Sequence, residues 1–294
     1  MNQTQYLGTA PTVHRVGWRR LRATGRVASY VLLIIMTVIF LAPLLYLLGS
    51  SLKAEGDLNE YPIRLVPRNP QWSNYQEAVL RFDFLKYTRI SLLLALTSTI
   101  LTVTSSAMSG FGFARHYAPL RDILFVLVLA MLMVPGAVTL IPTFVVFARL
   151  HLTDTYWPWV LWGLAGNSFY IFLFRQFFMS IPKELEDAAE VDGCTRFRIF
   201  WQIFLPNSGP VIATAAIFNF QGVWSDWFTP RIFLSNAKTT LSVKLQTAYV
   251  NVRGHAIYNL TFAAVFLFIL PMIIVFFLAQ RYIIQGIVTT GLKG

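Results

Sequence analysis

The sequence predicts an all-α integral membrane protein with six transmembrane helices. Of its 294 residues, 56% are apolar and only 13% are charged, and the mean hydropathy is +0.58. Ordinary soluble domains contain about 25% charged residues, so a water-soluble core could not hide this much apolar surface. Six apolar segments have the roughly 20-residue length that a helix needs to cross a bilayer core. Barrel strands would be about half as long and would alternate in polarity.

The predicted spans follow a basic N-terminal tail, residues 1–26. They lie at about 27–50, 90–110, 123–147, 157–178, 211–228 and 260–282, and residues 283–294 form a C-terminal tail. Pro135 and Pro142 each remove a hydrogen bond from the third span and predict kinks. Bundle packing explains such kinks more readily than a gating hinge does, because neighbouring helices can satisfy the freed carbonyls.

The charge distribution predicts the orientation of the chain. An excess of basic residues marks the cytoplasmic side of a membrane. The N-terminal tail has no acidic residue among Arg15, Arg19, Arg20, Arg22 and Arg26, so it is expected in the cytoplasm, and six spans return the C-terminus there. The net charge of +11 is spread over the ends of apolar spans rather than gathered on a soluble face, so nucleic-acid binding is not predicted.

Two long outer loops, residues 51–88 and 229–259, are candidate contacts for an extracytoplasmic partner, because loops of this size are usually functional or disordered. Residues 71–77 in the first loop are compatible with a short surface helix. Cys194 is the single cysteine, which excludes an intrachain disulfide framework.

The cytoplasmic loop at 180–207 has the pattern of a helix–turn–helix. Pro182 and Glu184 suit a first helical turn. Leu185, Ala188, Ala189 and Asp192 have the spacing of one helix face, and Gly193 is placed for a left-handed cap. Thr195 can cap a second short helix, which Leu205–Pro206 would stop. Periodicity alone leaves two interpretations open: a surface that a partner grips, or a solvated helix that joins two spans.

The motifs of this loop resemble a known family. The spacing of Asp187–Ala188–Ala189, Gly193 and Ile203-x-Leu205–Pro206 resembles the EAA loop of permease subunits of binding-protein-dependent ABC importers. Flanking segments, and the tail with Gly286, Gly291, Lys293 and Gly294, resemble the maltose-type, MalG-like carbohydrate branch. Asp187 stands where the family usually has glutamate, and Ile90–Ser91 stands where it often has Asn–Ser.

The resemblance implies a transport subunit of a prokaryotic inner membrane rather than an enzyme. Its partners would be a second, MalF-like permease, two ATPase subunits that bind ATP and Mg, and an extracytoplasmic solute-binding protein. The chain itself would hold no cofactor. The loop would be the coupling helix, seated in a groove of an ATPase subunit and driving alternating access. Its contact residues would be Glu186, Asp187, Ala188, Ala189, Gly193, Ile203, Leu205 and Pro206, with the C-terminal tail also reaching the ATPase pair.

A path for sugar needs polar groups and aromatic faces. The sequence offers Asn167, Tyr170, Asn219, Gln221, Trp224, Asp226 and Trp227, although such residues also serve in interfacial belts and helix packing. No P-loop, metal-ligand spacing or catalytic constellation is present in the sequence.

The predicted cargo is a carbohydrate of unspecified length. Glycerol phosphate or a polyamine is the alternative. A secondary transporter would require buried ionisable residues, broken half-helices or a filter, none of which is apparent from the sequence.

Overall fold

The computed structural model describes the backbone of residues 15–62, 64–250 and 255–291 and, within those ranges, the side chains of residues 27–280. The regular elements of these residues are helices, and one isolated bridge joins Val250 to Ala256. The all-α prediction is therefore confirmed. Residues 1–14 of the predicted N-terminal tail, and Lys293 and Gly294 of the C-terminal tail, lie outside the described residues.

The α-helices are named in chain order. They are α1 (Arg15–Ser51), α2 (Ser73–Leu80), α3 (Phe84–Arg115), α4 (Arg121–Met131), α5 (Gly136–Arg149), α6 (Trp157–Ala165), α7 (Ser168–Met179), α8 (Glu184–Val191), α9 (Arg196–Ile199), α10 (Gly209–Ser225), α11 (Phe228–Phe233), α12 (Leu241–Leu245) and α13 (Tyr258–Gly291). Short 3-10 helices cover Glu55–Asn59 and Pro206–Ser208, and a π-helical turn covers Phe200–Phe204.

Three helical segments are each long and apolar enough to cross a membrane: Val27–Ser51, Phe84–Arg115 and Tyr258–Gln280. They contain the predicted first and second spans and most of the sixth. Two bent pairs also qualify when each pair is taken as one crossing. Arg121–Met131 and Gly136–Arg149 meet at 101°, and Arg196–Phe204 and Pro206–Ser225 meet at 41°. The described residues thus supply up to five crossings by length and composition.

The predicted fourth span, 157–178, is not one helix. It consists of α6 and α7, which are separated at Gly166 and Asn167. Gly166 has a φ of +75°, which favours glycine. Ser105 Oγ donates to the Gly163 carbonyl at 2.7 Å, and the Asn167 N–H donates to Ser106 Oγ at 3.0 Å. Hydroxyls of α3 therefore satisfy backbone groups that the break frees, which makes it tolerable at membrane depth. The expectation of no broken half-helices was wrong.

The third predicted span is interrupted at Pro135, where the backbone is extended and α4 and α5 diverge. The expected kink is therefore a break between two helices whose axes meet at 101°, not a bend within one helix. Pro142, by contrast, lies inside α5, which continues to Arg149.

The helix α3 lies at the centre of the bundle and packs against α6, α7 and α10, while α13 packs against α1 and α10. The buried face of α3 is rich in small side chains, which let neighbouring backbones approach closely. These include Ser91, Ala95, Ser98, Thr102, Ser106, Ala107 and Gly110. At Gly110, an added Cβ would lie 2.6 Å from Phe174 Cβ and 3.0 Å from the Arg175 nitrogen.

We expect Gly110→Ala to lower the stability of the protein because its methyl group would push against the α7 backbone. Overpacking of this kind costs about 1–3 kcal/mol. Gly112→Ala is the matched control, because a Cβ at Gly112 meets no atom within 4 Å. Thermal unfolding in detergent would measure both variants. Equal melting temperatures would contradict this account of the α3–α7 contact.

The two long loops that were predicted to be extracytoplasmic pack on each other and on the N-terminal ends of α3 and α13. The predicted short surface helix is present as α2, Ser73–Leu80. Asn74 Nδ2 donates to the carbonyls of Ser51 and Lys53, and Tyr249 OH donates to the Ala78 carbonyl at 2.8 Å. These contacts fix the two long loops relative to the helices that they join.

Candidate functional site

The loop at 180–207 folds into a compact knob, which we define as residues 184–204. The helix α8 ends in a Schellman arrangement: Gly193 has a φ of +77°, its N–H donates to the Glu190 carbonyl, and the Cys194 N–H donates to the Ala189 carbonyl at 2.9 Å. Thr195 Oγ1 accepts from the Arg198 N–H and caps α9. The predicted left-handed cap and second helix are confirmed.

The second helix ends at Leu205–Pro206, as predicted. The π-helical turn Phe200–Phe204 follows α9 directly, Leu205 is a turn residue, and the short 3-10 helix from Pro206 leads into α10. The two segments meet at 41°, and Pro206 stands at the first position of the new helical turn, where it needs no N–H partner.

One face of α8 is turned inward and the other outward. Glu186 and Ala189, one turn apart, are 3% and 7% exposed. Leu185, Asp187 and Ala188 are exposed, and Val191 is 88% exposed. Ala188 and Ala189 therefore do not share a face as expected, since Ala189 packs within its own chain.

The inward face of the knob is anchored on three membrane helices. Ala189, Ile199, Phe200 and Phe204 share a buried cluster with Phe111 of α3, Phe174 and Phe178 of α7, and Val211 and Ala215 of α10, against which Ile203 and Leu205 pack. The Phe204 ring lies 4.8 Å from Phe111 and 5.5 Å from Phe178. The Ile-x-Leu part of the loop thus holds the knob to the bundle, and Pro206 is exposed.

An ionic cluster centred on the buried Glu186 joins the knob to α3; we define it as Arg115, Glu186 and Arg196, of which Arg196 is exposed. Glu186 Oε1 pairs with Arg196 Nη1, and Glu186 Oε2 lies 3.6 Å from Arg115 Nη1. The Arg115 guanidinium also donates to the Phe178 carbonyl at 2.6 Å and to the Ile181 carbonyl. The sequence carried no signal for this cluster, because an acidic residue in a short helix between two spans is ordinarily exposed.

A cavity of about 510 Å³, with hydroxyl and amide groups set among apolar walls, lies between α3, α5, α6, α7, α10 and α11. It contains four of the predicted path residues: Asn167, Tyr170, Asn219 and Asp226. It also contains hydroxyl and indole groups that the sequence did not single out. These belong to Ser98, Thr102, Thr139, Thr143, Trp159, Trp162 and Thr229.

Three predicted path residues lie elsewhere. Trp224 is 1% exposed and stacks between Phe220 and Phe268, and its indole N–H donates to the Phe268 carbonyl at 3.1 Å. In this structure Trp224 is a packing residue and does not line the cavity. Gln221 and Trp227 are exposed but do not line the cavity.

The cavity walls are uncharged except for Asp226. Asp226 Oδ1 accepts from the N–H groups of Phe228 and Thr229 at 2.9 and 3.1 Å and so caps α11. Asn167 Oδ1 caps α7 in the same way through Phe169 and Tyr170. No lysine, arginine or histidine is among the described residues that line this cavity. Such a lining suits a neutral, hydroxyl-rich ligand, which hydrogen-bonds to hydroxyls and amides.

The comparisons with known proteins decide the family. Residues 105–289 match the family described as binding-protein-dependent transport system inner membrane component. This chain belongs to that family. The permease is 32% identical over 274 residues to the arabinooligosaccharides transport system permease protein AraQ of Bacillus subtilis, covering 92% of this chain and 96% of AraQ.

Other relatives extend the comparison. The permease is 30% identical to the sn-glycerol-3-phosphate transport system permease protein UgpE of Pectobacterium atrosepticum, covering 88% of this chain and 95% of UgpE. A crystal structure of a bacterial ABC transporter that imports the acidic polysaccharide alginate superposes with a TM-score of 0.79 at 21% identity, covering 93% of this chain and 99% of that one. At this identity the structural match shows the fold. Family membership makes the chain a membrane transport component and not an enzyme.

Outside the cavity, Asp154 joins the loop between α5 and α6 to the segment that follows α11. Its Oδ1 accepts from the Ser235 N–H at 2.9 Å, and Lys238 Nζ lies 3.1 Å from Oδ2. The hydrogen bonds from Ser235, above all from its backbone N–H, lower the pKa of Asp154 from 3.8 to about 2. A lowered pKa in the folded state stabilises the fold above pH 3.8, and this contribution is lost as the pH falls through about 2.

We therefore expect Asp154→Asn to flatten the acid side of the stability profile. The effect is small, because the group is exposed to solvent and screened. Thermal unfolding between about pH 2 and pH 6 would measure it, this window being the range in which the carboxyl titrates. Asp57→Asn, at an exposed position in the segment between α1 and α2, is the control. An unchanged profile for Asp154→Asn would contradict the assigned hydrogen bonds.

Proposed function

We propose that this permease forms half of the translocation path of an ATP-driven carbohydrate importer. It would pair with a second, MalF-like permease, with two ATPase subunits that bind ATP and Mg, and with an extracytoplasmic solute-binding protein. The chain would cross a prokaryotic inner membrane six times, with α4–α5 and α6–α7 each forming one broken span, and both termini would lie in the cytoplasm. Lipid would cover the apolar face of α1.

The observation that carries the proposal is the cavity between α3, α5, α6, α7, α10 and α11. It is large enough for a small ligand and offers hydroxyls, amides and the indoles of Trp159 and Trp162. These groups match the alternating hydroxyl and C–H faces of a sugar ring. AraQ, a relative named for arabinooligosaccharides, supports the same class of cargo.

A phosphate-bearing cargo is the second candidate, because UgpE is named for sn-glycerol-3-phosphate transport. A desolvated phosphate needs a cationic or strong hydrogen-bonding partner. The described lining offers none with a positive charge, so this cargo would need its cation from the partner permease. A polyamine would need free carboxylates, whereas Asp226 already accepts two backbone N–H groups.

The knob would couple the permease to ATP hydrolysis: movement of the ATPase subunits would displace the knob and so drive alternating access. Its outward face presents Asp187, Ala188 and Val191, while the buried face holds it to α3, α7 and α10. Asp187 would pair with a base or an N–H group of the ATPase, and Gly193 would supply the turn. The C-terminal segment with Gly286, Gly291, Lys293 and Gly294 would also reach the ATPase pair.

The test is reconstitution of the complete complex in liposomes with the solute-binding protein. A thermal-shift screen of that binding protein against neutral sugars, uronates, glycerol phosphate and polyamines would first select the cargo. ATP-dependent uptake of a neutral sugar is the expected result. Uptake by this chain alone, without ATP, would instead identify a secondary transporter, and selection of an anion or a polyamine would overturn the assignment of the cargo.

A further inference from the structure

We propose that Arg115 and Glu186 are positioning residues that pass displacement of the knob to the helices that wall the cavity. This inference rests on the coupling role proposed above. It concerns contacts inside the chain, between the knob and the bundle, rather than the contact with an ATPase. The ionic cluster, with Glu186 at its centre, is the structural basis.

Stability alone does not explain a carboxylate at this position. Glu186 is 3% exposed, and the knob already has an apolar anchor in Ala189, Ile199, Phe200 and Phe204. Replacing a buried ion pair with apolar residues is often neutral or stabilising, so such a pair is weak evidence for a role in stability. What the cluster adds is a fixed orientation. The Arg115 guanidinium is held by hydrogen bonds to the Phe178 and Ile181 carbonyls, and it attracts the Glu186 carboxylate as an ion pair at 3.6 Å.

Arg115 connects four elements through one guanidinium group. The residue ends α3, and its Nη2 donates to the Phe178 carbonyl of α7 and the Ile181 carbonyl beyond it. Its Nη1 faces Glu186 of α8, and the guanidinium lies 5.0 Å from the centre of the Phe204 ring in the π-helical turn. Movement of α8 therefore acts directly on the ends of α3 and α7.

The same two helices reach the cavity. Ser98 and Thr102 of α3 line it, as do Tyr170 of α7 and the cap residue Asn167. Arg196 completes the cluster from α9, so both helices of the knob are attached to Glu186. A rigid connection of this kind transmits a displacement that a flexible loop would absorb.

Glu190 supplies a matched control. It lies one turn after Glu186 on the same helix and pairs with Arg196 at 2.7 Å, but it is exposed and no contact with Arg115 is among the described ion pairs. Glu186→Gln and Glu190→Gln therefore make the same chemical change, and only the first loosens the link to α3. In Arg115→Lys, a single ammonium replaces the planar fork and cannot reach both carbonyls and the carboxylate in the same way.

The experiment uses the complete complex in liposomes. Three quantities would be measured for the unaltered protein, Glu186→Gln, Arg115→Lys and Glu190→Gln: ATPase co-purification, ATP hydrolysis and substrate uptake. Knob mobility would be followed separately, in the purified permease without its partners, by the line shape of a spin label introduced as Val191→Cys in a Cys194→Ser background. Residue 191 lies on the outward face, so ATPase co-purification, ATP hydrolysis and uptake would be measured on the unlabelled proteins. Val191 is exposed, so the label does not disturb the apolar anchor.

We expect Glu186→Gln and Arg115→Lys to retain the ATPase subunit and to hydrolyse ATP, while uptake per ATP falls about tenfold and the label becomes more mobile. Glu190→Gln should match the unaltered protein. Uptake per ATP and label mobility within about twofold of the unaltered protein in both cluster variants would overturn the inference.

Two further outcomes are separated by the design. If Glu186→Gln does not accumulate in the membrane, Arg115→Lys decides the question, because it keeps the carboxylate and a positive charge and changes only the guanidinium fork; loss of coupling supports the inference and normal coupling overturns it. If the unaltered protein fails to bind any ATPase subunit, the proposed function fails, and the inference fails with it.

Discussion

We expect Ala188→Trp to abolish ATP-driven uptake while leaving the isolated chain as stable as the unaltered protein. The side chain of Ala188 is exposed on the outward face of the knob, so a large indole has space in the free chain. A groove that receives this face would have to accommodate the indole, and a misfit in a packed interface costs about 1–3 kcal/mol or more. Co-purification of the ATPase subunit, uptake and the melting temperature would be measured together.

Ala189→Trp is the informative comparison for this experiment. Ala189 is 7% exposed and packs against the apolar cluster beneath the knob, so the indole would disrupt the chain itself and lower its melting temperature. Ala188→Ser, which changes little volume, should behave like the unaltered protein. Normal ATPase binding by Ala188→Trp would contradict the assignment of the outward face as the contact surface.

The second large effect is expected from filling the cavity at Gly222. A Cβ at this position meets no atom within 4 Å, and the residue lines the cavity. The series Gly222→Ala, Gly222→Leu and Gly222→Phe should therefore reduce uptake progressively without straining α10. Loss of about 1.4 kcal/mol of substrate binding corresponds to a tenfold weaker affinity, and we expect Gly222→Phe to exceed that.

Uptake at several substrate concentrations would distinguish binding from turnover. Gly56→Phe is the control, because Gly56 is exposed in the segment between α1 and α2 and its added Cβ also meets no atom within 4 Å. ATPase binding should be unchanged in every variant of the series. If uptake does not depend on side-chain size at Gly222, the cavity is not the path.

Features set by neighbouring residues were predictable from the sequence. The glycine at 193 and the threonine at 195 specify a turn and a cap through their own backbone preferences, and the structure has both. Pro135 likewise predicted a departure from a straight helix. The 101° between α4 and α5 was not predictable, because the packing of the surrounding helices decides the angle.

Features set by distant residues were not predictable. The predicted fourth span continued across the short polar stretch Gly166–Asn167–Ser168, which lies between two apolar runs. The break there is supported by hydrogen bonds from Ser105 and to Ser106 in another helix. Glu186 has the appearance of a solvated acid, and its burial depends on Arg115. Trp224 resembles a sugar-binding aromatic in sequence, yet Phe220 and Phe268 enclose its ring.

Because of the interruption at Gly166 and Asn167, two short helices, α6 and α7, take the place of one long helix. With 9 and 12 residues, and a rise of about 1.5 Å per residue, neither helix can span a 30 Å hydrocarbon layer alone. In α6, Trp159 and Trp162 pack against Phe233, whereas α7 packs on the aromatic cluster next to the knob. A pivot at Asn167 would let α7 swing and change the width of the cavity while the wall formed by α6 stays in place.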